Sequence, residues 1–577
     1  MRLLRSLYKS CTIGLISIDW KRKSRPDWRK VKHINHFKRK KIILMGQAMQ
    51  GTNDKEKKYD VIIVGSGINS LVAAALLSLK GQKVCILERN DWIGGCIKTD
   101  ELTLAGFKHD VFSGFHPLFV TSPAYGEIGE LLHKHGLEYV NTDKPTAAVL
   151  PDGRHFILTT SREDNVAAMG EGDGAAYGRS MADIEQNTDI IFGLLGSDLW
   201  SFGVLRLLAK SVWSRGIQKM SAFFGMSLDN CKNWLESSFE SEALKACIAP
   251  WILHTGLSPS SPLSGLMGKL IFFTLEAAGM PVVKGGSAHL VKAFRSLIEE
   301  NGGVFFTEQD VRDVIVEDGR AVAVKTKTGD IYEARKAIIC NVTPTQLYGE
   351  LLTNTDVADN VTKEAENYRY GNGDMQIHLA IDGDVEWKDK ALNDVAMIHL
   401  TSGVDSISKA INEAERGFLP ERATVVVAQP TVLDPSRAPE GKSILWLQLQ
   451  ELPFHIKGDA ANIIKIPEDG LWDEKTANAY ADRIIDRLCE HIPNLKKQIL
   501  GRAILSPREL EKQNKNLVKG DPYSGSCGIE QFMLWRPLKS TKNHSTPVKS
   551  LYHIGASTHP GPGLAGTSGY LVAKNIK

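Results

Sequence analysis

The stretch "YDVIIVGSGINSLVAAALLSLKGQKVCILERN", residues 59–90, decides the fold. Val61–Val64 is a short continuous apolar run, the pattern of a parallel strand buried on both faces. Gly65 and Gly67 follow, then an apolar-periodic helix predicted from about Asn69 to Lys80, with Gly81 as its C-terminal cap. A second strand, Lys83–Leu87, ends in Glu88, 23 residues after Gly65. Glycines here permit a tight turn and let a pyrophosphate approach the helix N-terminus, where free N–H groups and the dipole favour anions. An acid at the end of the second strand can accept hydrogen bonds from a ribose. The third glycine position holds Ser70, a small residue in a place that serves close helix–strand packing. The bland alternative is a Rossmann-like crossover that binds nothing.

Two further stretches bear on which dinucleotide is held. "ERNDWIGGCIKT" sets Arg89 beside Glu88 and places Gly94–Gly95 just after it. A second glycine pair at this point is shared by large flavoproteins, whose backbone there helps hold an extended FAD. Residues 282–344 read as a helix over Leu290–Glu300 followed by strands at Val304–Thr307, Val311–Glu317, Ala321–Lys325 and Lys336–Cys340. Asp318–Gly319 and Thr328–Gly329 supply the hairpin turns. This is the small β-meander that follows the crossover in two-dinucleotide-type flavoproteins; by that resemblance the Val311 backbone meets the adenine. An ordinary hairpin sheet is the competing reading.

Composition bounds the rest. At 577 residues the chain is too long for one ordinary core and calls for two or three domains. No uninterrupted apolar run reaches the length of a membrane span. The net charge of +3 hides an asymmetry: residues 1–45 hold 14 Lys/Arg and two acids, and the remainder holds 56 Lys/Arg against 65 Asp/Glu. That basic extension reads as a targeting peptide, a membrane- or nucleic-acid-touching arm, a disordered tail, or a misassigned start upstream of Met45 or Met49. It lacks the features of a secretory signal. The acidic body argues against nucleic acid as a partner. Eight scattered cysteines include no Cys-x-x-Cys and no metal-spaced cluster, so neither a dithiol centre nor a metal site is expected, and a reducing compartment is the simplest reading.

From Lys58 to Lys577 the chain resembles the phytoene dehydrogenase-related flavoproteins. These include carotenoid desaturases and ketolases and a branch named for a pyridine nucleotide-disulfide oxidoreductase domain, which is closest in pattern. The match is carried by "VGSGINSLVAA", "ERNDWIGG", "HTGLSPSSPLSG", "VVKGGSAHLVKAF", "LDPSRAPEGK", "IEQFMLWRP" and the tail "GASTHPGPGLAGTSG". The resemblance implies an α/β fold: a Rossmann-like FAD-binding domain of the amine-oxidase and phytoene-desaturase type, with a discontinuous α+β substrate domain. FAD would be held by segments 58–130, 280–350 and 501–577, and the substrate domain built from 131–279 and 351–500, with 1–57 as the extension. The cofactor-binding residues expected are Gly65, Gly67, Ser70, Glu88, Arg89, Gly94, Gly95 and Val311, with Gly555, Ala556, Gly563 and Gly566 in the tail. Tyr552–Ile554 reads as a strand, and a helix from about Ala565 would point its N-terminus at the flavin edge where charge collects on reduction.

The family's substrates imply an apolar polyene or lipid-like molecule, with dehydrogenation, isomerisation or oxygenation at carbon. Three histidines are candidate acid–base or pocket groups: His116, His254 and His559; each also reads as a satisfied loop residue. Residues 191–226 carry one acid, four bases and apolar residues at helical spacing, a pattern of either a lipid-surface contact or a pair of core helices. Location follows the same fork: cytoplasmic or peripheral to a membrane, or in a mitochondrion or plastid if residues 1–45 are a transit peptide. Ser70, together with Ser524 where members of the resembled family often carry histidine, leaves open a flavin-binding regulatory protein without turnover. Oligomeric state cannot be read from the residues.

Overall fold

The computed structural model describes residues 57–577, so the basic extension and the readings attached to it lie outside the described residues. The chain enters on strand β1 (Lys58–Val64), turns into helix α1 (Ile68–Leu79) and returns on β2 (Val84–Leu87). The two strands pair in parallel, Val61 opposite Val84 through Val64 opposite Leu87. Their apolar residues are buried, as a strand covered on both faces requires.

The chain then supplies β3 (Thr146–Val149) and β4 (His155–Leu158), followed by three helices: α2 (Glu171–Leu195), α3 (Phe202–Arg215) and α4 (Ile217–Ser227). Helix α5 (Ala288–Glu300) leads back to the first sheet through β5 (Val304–Phe306), β6 (Val311–Glu317), β7 (Arg320–Thr326) and β8 (Ile331–Asn341). The last strand begins earlier than the apolar run from Lys336 indicated, because Ile331–Glu333 already pair with β7 in a hairpin.

Next come β9 (Gly373–Asp382), β10 (Met397–Leu400), β11 (Val425–Ala428), β12 (Lys442–Leu452), helix α6 (Glu474–Cys489) and β13 (Ile499–Leu505). The chain closes on β14 (Leu551–Ile554) and helix α7 (Thr567–Asn575).

Two seven-stranded sheets organise these elements. The first runs β6-β7-β8-β1-β2-β5, with β14 added in parallel to β8. The second runs β13-β9-β12-β11-β10-β3-β4, so β13 crosses residue 500 and belongs to the second sheet. Period-two patterning divides the second sheet into two faces. Met375, Ile377 and Leu379 of β9 and Leu445, Leu447 and Leu449 of β12 join Tyr480, Ile484 and Leu488 of α6 in one core. The opposite face carries Asp374, Gln376 and His378 from β9 and Trp446, Gln448 and Gln450 from β12, all buried as well. A buried polar face needs a partner, and that partner includes Phe112, Phe115 and Tyr523.

Candidate cofactor site and its surroundings

The glycine turn after β1 is built as its spacing requires. Gly65 has φ +85°, a conformation that L side chains rarely adopt. Gly67 is the N-cap of α1 with no side-chain cap, which leaves the first N–H groups of the helix for another acceptor. A Cβ on Gly95 would stand 3.0 Å from the Gly67 Cα, so the second glycine pair is pressed against the first loop.

Glu88 is buried and accepts from the Ser66 N–H at 3.0 Å and the Ser66 hydroxyl at 2.7 Å through one oxygen, and from the Asn90 N–H at 2.9 Å through the other. The oxygen that takes the Asn90 N–H retains capacity for a ribose hydroxyl. Ser66 Oγ in turn accepts from the Gly94 N–H at 2.9 Å, joining the two glycine loops. Gln309 N–H donates to the Glu88 carbonyl at 2.8 Å, which brings the start of β6, with Val311, beside the acid. Arg89 is exposed.

The tail comes to the same place from the far end of the chain. Beside β14, Gly555 has φ +120° and Gly566 φ +70°, the latter as uncapped N-cap of α7. Gly555 N–H donates to Ser568 Oγ at 3.1 Å. The carbonyl of Ala556 accepts from the guanidinium of Arg536 at 2.7 and 3.0 Å. A Cβ on Gly563 would stand 2.8 Å from Leu118 Cδ1. Two uncapped helix starts, paired glycine loops and a buried carboxylate make a donor and acceptor set that fits FAD.

Two residues of this site, Asn341 and Arg437, had no role assigned from the sequence. Asn341, at the end of β8, is the hub between the glycine loops: its Nδ2 donates to Ser70 Oγ at 2.9 Å, and its side chain fills the space a Cβ on Gly67 or Gly555 would need. Ser70 therefore makes a hydrogen bond that the glycine it replaces could not. Arg437 is fully buried, donating to Asp110 at 2.9 Å, Asp434 at 3.0 Å and the Val283 carbonyl at 3.0 Å. Its motif "LDPSRAPEGK" was visible in the sequence, but its partners lie 327 and 154 residues away in two of the three contacts.

The polar face of the second sheet abuts the segments around Phe112 and Tyr523 directly. Gln376 Nε2 donates to the Phe112 carbonyl at 3.1 Å, Gln450 Nε2 to the Tyr523 hydroxyl at 2.9 Å, and Phe115 stacks on Trp446 at 6.2 Å. Asp374 accepts from Gln376 and Gln448, and its charge acts on Cys96, next to Gly95.

Burial pushes the Asp374 carboxyl up to about 7. Unfolded, such a group ionises near 4, so between these values the folded state holds a proton that the unfolded chain does not. Its contribution to stability is complete below the unfolded value and is lost as pH rises through the folded one. Urea unfolding from about pH 4 to about pH 8 should show a shallower loss of stability in Asp374→Asn than in the wild type. Parallel profiles would refute this protonation assignment. Glu451, pushed up to about 8 by burial, acts in the same direction and is unchanged in that comparison.

The three candidate histidines occupy separate surroundings. His116 meets the Tyr139 hydroxyl at 3.2 Å and Ser287 at 3.5 Å. His254 shares a 3.0 Å Nε2–Nε2 hydrogen bond with His399. His559 Nε2 donates to the Leu194 carbonyl at 3.0 Å. Burial lowers all three to about 4, so they are neutral near pH 7. They form no cluster, and each has a structural partner.

Comparison with known proteins agrees with this architecture. Residues 71–478 match the family model described as flavin containing amine oxidoreductase. The chain is 26% identical to pyridine nucleotide-disulfide oxidoreductase domain-containing protein 2 of Rattus norvegicus, covering 90% of this chain and 94% of that one. It is 25% identical to one of the limonene dehydrogenase polypeptides of Castellaniella defragrans (90% and 94% covered) and 24% identical to a neurosporene-forming phytoene desaturase of Cereibacter sphaeroides (88% and 92%). A solved oxidoreductase structure from Methanosarcina mazei shares the fold, with TM-score 0.58 and 16% identity over 90% of this chain and 100% of that chain. On that family match, which spans more than half of its residues, the chain belongs to the flavin containing amine oxidoreductase family and is an FAD-dependent oxidoreductase.

Proposed function

We propose that this enzyme dehydrogenates an apolar, unsaturated substrate of the isoprenoid or polyene kind, taking hydride from a C–H bond. The observation that carries the reading is the set of side chains, uncharged apart from Asp374, that β9 and β12 turn toward Phe112 and Tyr523. Gln376, Gln448, Gln450 and Trp446 are neutral, burial lowers His378 to about 3, and Asp374, raised to about 7, is uncharged when protonated. Such a wall imposes no desolvation penalty for unpaired charge when a hydrocarbon displaces water from it. Bound FAD supplies the hydride acceptor.

The protein's part is then to orient one C–H bond and to exclude water. Trp446, held by its Nε1–H donated to Gln376 Oε1 at 3.0 Å and by stacking on Phe115, offers a fixed apolar plane for that purpose. Asp374, titrating near neutrality, can accept a proton where the reaction also releases one. Two relatives support the substrate class, since their names carry limonene and phytoene, both isoprenoid hydrocarbons.

Anaerobic mixing of the purified holoprotein with a panel of isoprenoid hydrocarbons tests the proposal. Bleaching of the flavin absorbance by a member of that panel is the expected result. A flavin reduced by primary amines and untouched by the hydrocarbons would overturn it.

A further inference from the structure

Among the described residues, nine of the nineteen large apolar side chains that stay exposed fall between positions 192 and 228. Phe202 is 81% exposed, Leu205 63%, Trp213 93% and Ile217 77%. Isolated exposed apolar residues are ordinary; a contiguous set is not. On α3 the exposed apolar side chains, from Val212 through Leu205 and Phe202 to Trp213, fall within an arc of about 100°. Val204 and Ser211, on the opposite side, are buried. The helix is therefore turned the wrong way for a core helix: its most apolar stripe faces outward. Ile217 and Phe224 continue exposed apolar surface onto α4.

Charge distinguishes what can cover this stripe. Arg206 and Lys210 lie along its edge on α3, and Lys219 lies on α4; all three are exposed, and none has a carboxylate within ion-pair distance among the described residues. Arg215 is the exception, paired with Asp189 at 2.5 Å. Unpaired bases beside exposed Trp, Phe and Leu match an interface that is apolar within and anionic at its rim. A second copy of the same face would set bases against bases. The basic residues 1–45 would do the same.

We propose that α3 and α4 form a docking face for an anionic phospholipid bilayer, with Trp213, Phe202 and Ile217 inserted below the headgroups and Arg206, Lys210 and Lys219 against them. The face is fastened to the cofactor-binding tail. His559 donates to the Leu194 carbonyl at the end of α2, Asn543 Nδ2 donates to Asp198 at 2.6 Å, and Lys542 stands over Trp200 at 5.9 Å. A membrane-soluble molecule taken up beside this face would start next to the flavin loop. The docking inference needs no particular substrate and goes beyond the proposed reaction.

The test uses full-length holoprotein and vesicles of phosphatidylcholine with and without phosphatidylglycerol. Wild-type protein should sediment with the anionic vesicles, and a fraction should remain bound when salt screens the basic N-terminal residues. Trp213→Glu/Ile217→Glu should lower that salt-resistant binding at least tenfold while its flavin content stays at the wild-type level, since both side chains are exposed. Trp213→Phe should sediment normally yet lose much of the tryptophan quenching by brominated acyl chains. Equal salt-resistant binding by wild type and the double variant would overturn the proposal. So would a wild-type dimer that the double variant splits, because that face would then join two copies. Neither outcome depends on whether an isoprenoid bleaches the flavin.

Discussion

Gly566→Val should yield protein without bound flavin and with a lowered melting temperature. Gly566 holds φ +70° at the start of α7, and a Cβ there would stand 2.6 Å from Val72 Cγ2 on α1. A β-branched residue in the left-handed region costs about 1–3 kcal/mol. Forcing a side chain against a packed neighbour adds about 1–3 kcal/mol. A small slide of α7 gives no relief, because its backbone at Gly569 packs so closely on α1 that an added Cβ would lie 1.8 Å from the Asn69 carbonyl oxygen. The tail helix must lift from α1, carrying Gly555 and Ala556 with it. Gly81→Val is the control: φ is +77° there too, but no atom lies within 4 Å of the added Cβ, so it should lose stability and keep its flavin. Flavin absorbance per protein, with thermal unfolding, measures both. Wild-type flavin content in Gly566→Val would remove the tail from the cofactor site.

Arg437→Met should destabilise the fold by about 3–5 kcal/mol, the cost of leaving buried charge without its partner. Arg437 is 0% exposed and bridges Asp110 and Asp434. Those carboxylates have other work: Asp110 accepts from the Ser287 N–H at 2.8 Å, and Asp434 from the Gly285 N–H at 2.6 Å. The arginine thus fixes the turn into α5, which packs on α1 beneath the glycine loop. Equilibrium unfolding in urea gives the loss. Adding Asp110→Asn and Asp434→Asn should restore part of it, because the repulsion and uncompensated charge then disappear together. A loss under about 1 kcal/mol for Arg437→Met would mean the network is not a strut.

The crossover was legible because it is local. β1, α1 and β2 lie within 30 residues, and their burial periods, glycine turn and terminal acid are each fixed by neighbours in the chain. The meander from Val304 to Asn341 was legible for the same reason, down to its hairpin turns. The alternation of Met375, Ile377, Leu379 and Ile381 marks a strand, but it does not say what the other face meets. Only the fold sets Asp374 and Gln376 against the segment that follows Gly94–Gly95.

The 191–226 stretch shows the limit most plainly. Apolar residues at helical spacing describe a helix with a stripe, and the same stripe serves a core or a surface. Its direction is decided by Val204 and Ser211 taking the inside, a choice made by neighbours far along the chain. Asn341 is similar: nothing nearby in the sequence marks an asparagine that fills the space between Gly67 and Gly555, 488 residues apart.

By itself, then, the sequence determined the dinucleotide turn, the glycine pairs and the strand–loop–helix tail, because short-range sterics and period-two or helical burial leave those patterns few conformations. The tertiary structure decided the Arg437 and Arg536 struts, the burial of the polar face of the second sheet and the outward turn of α3. Each of these depends on desolvation, which is set by what packs against a residue and not by the residues beside it in the chain.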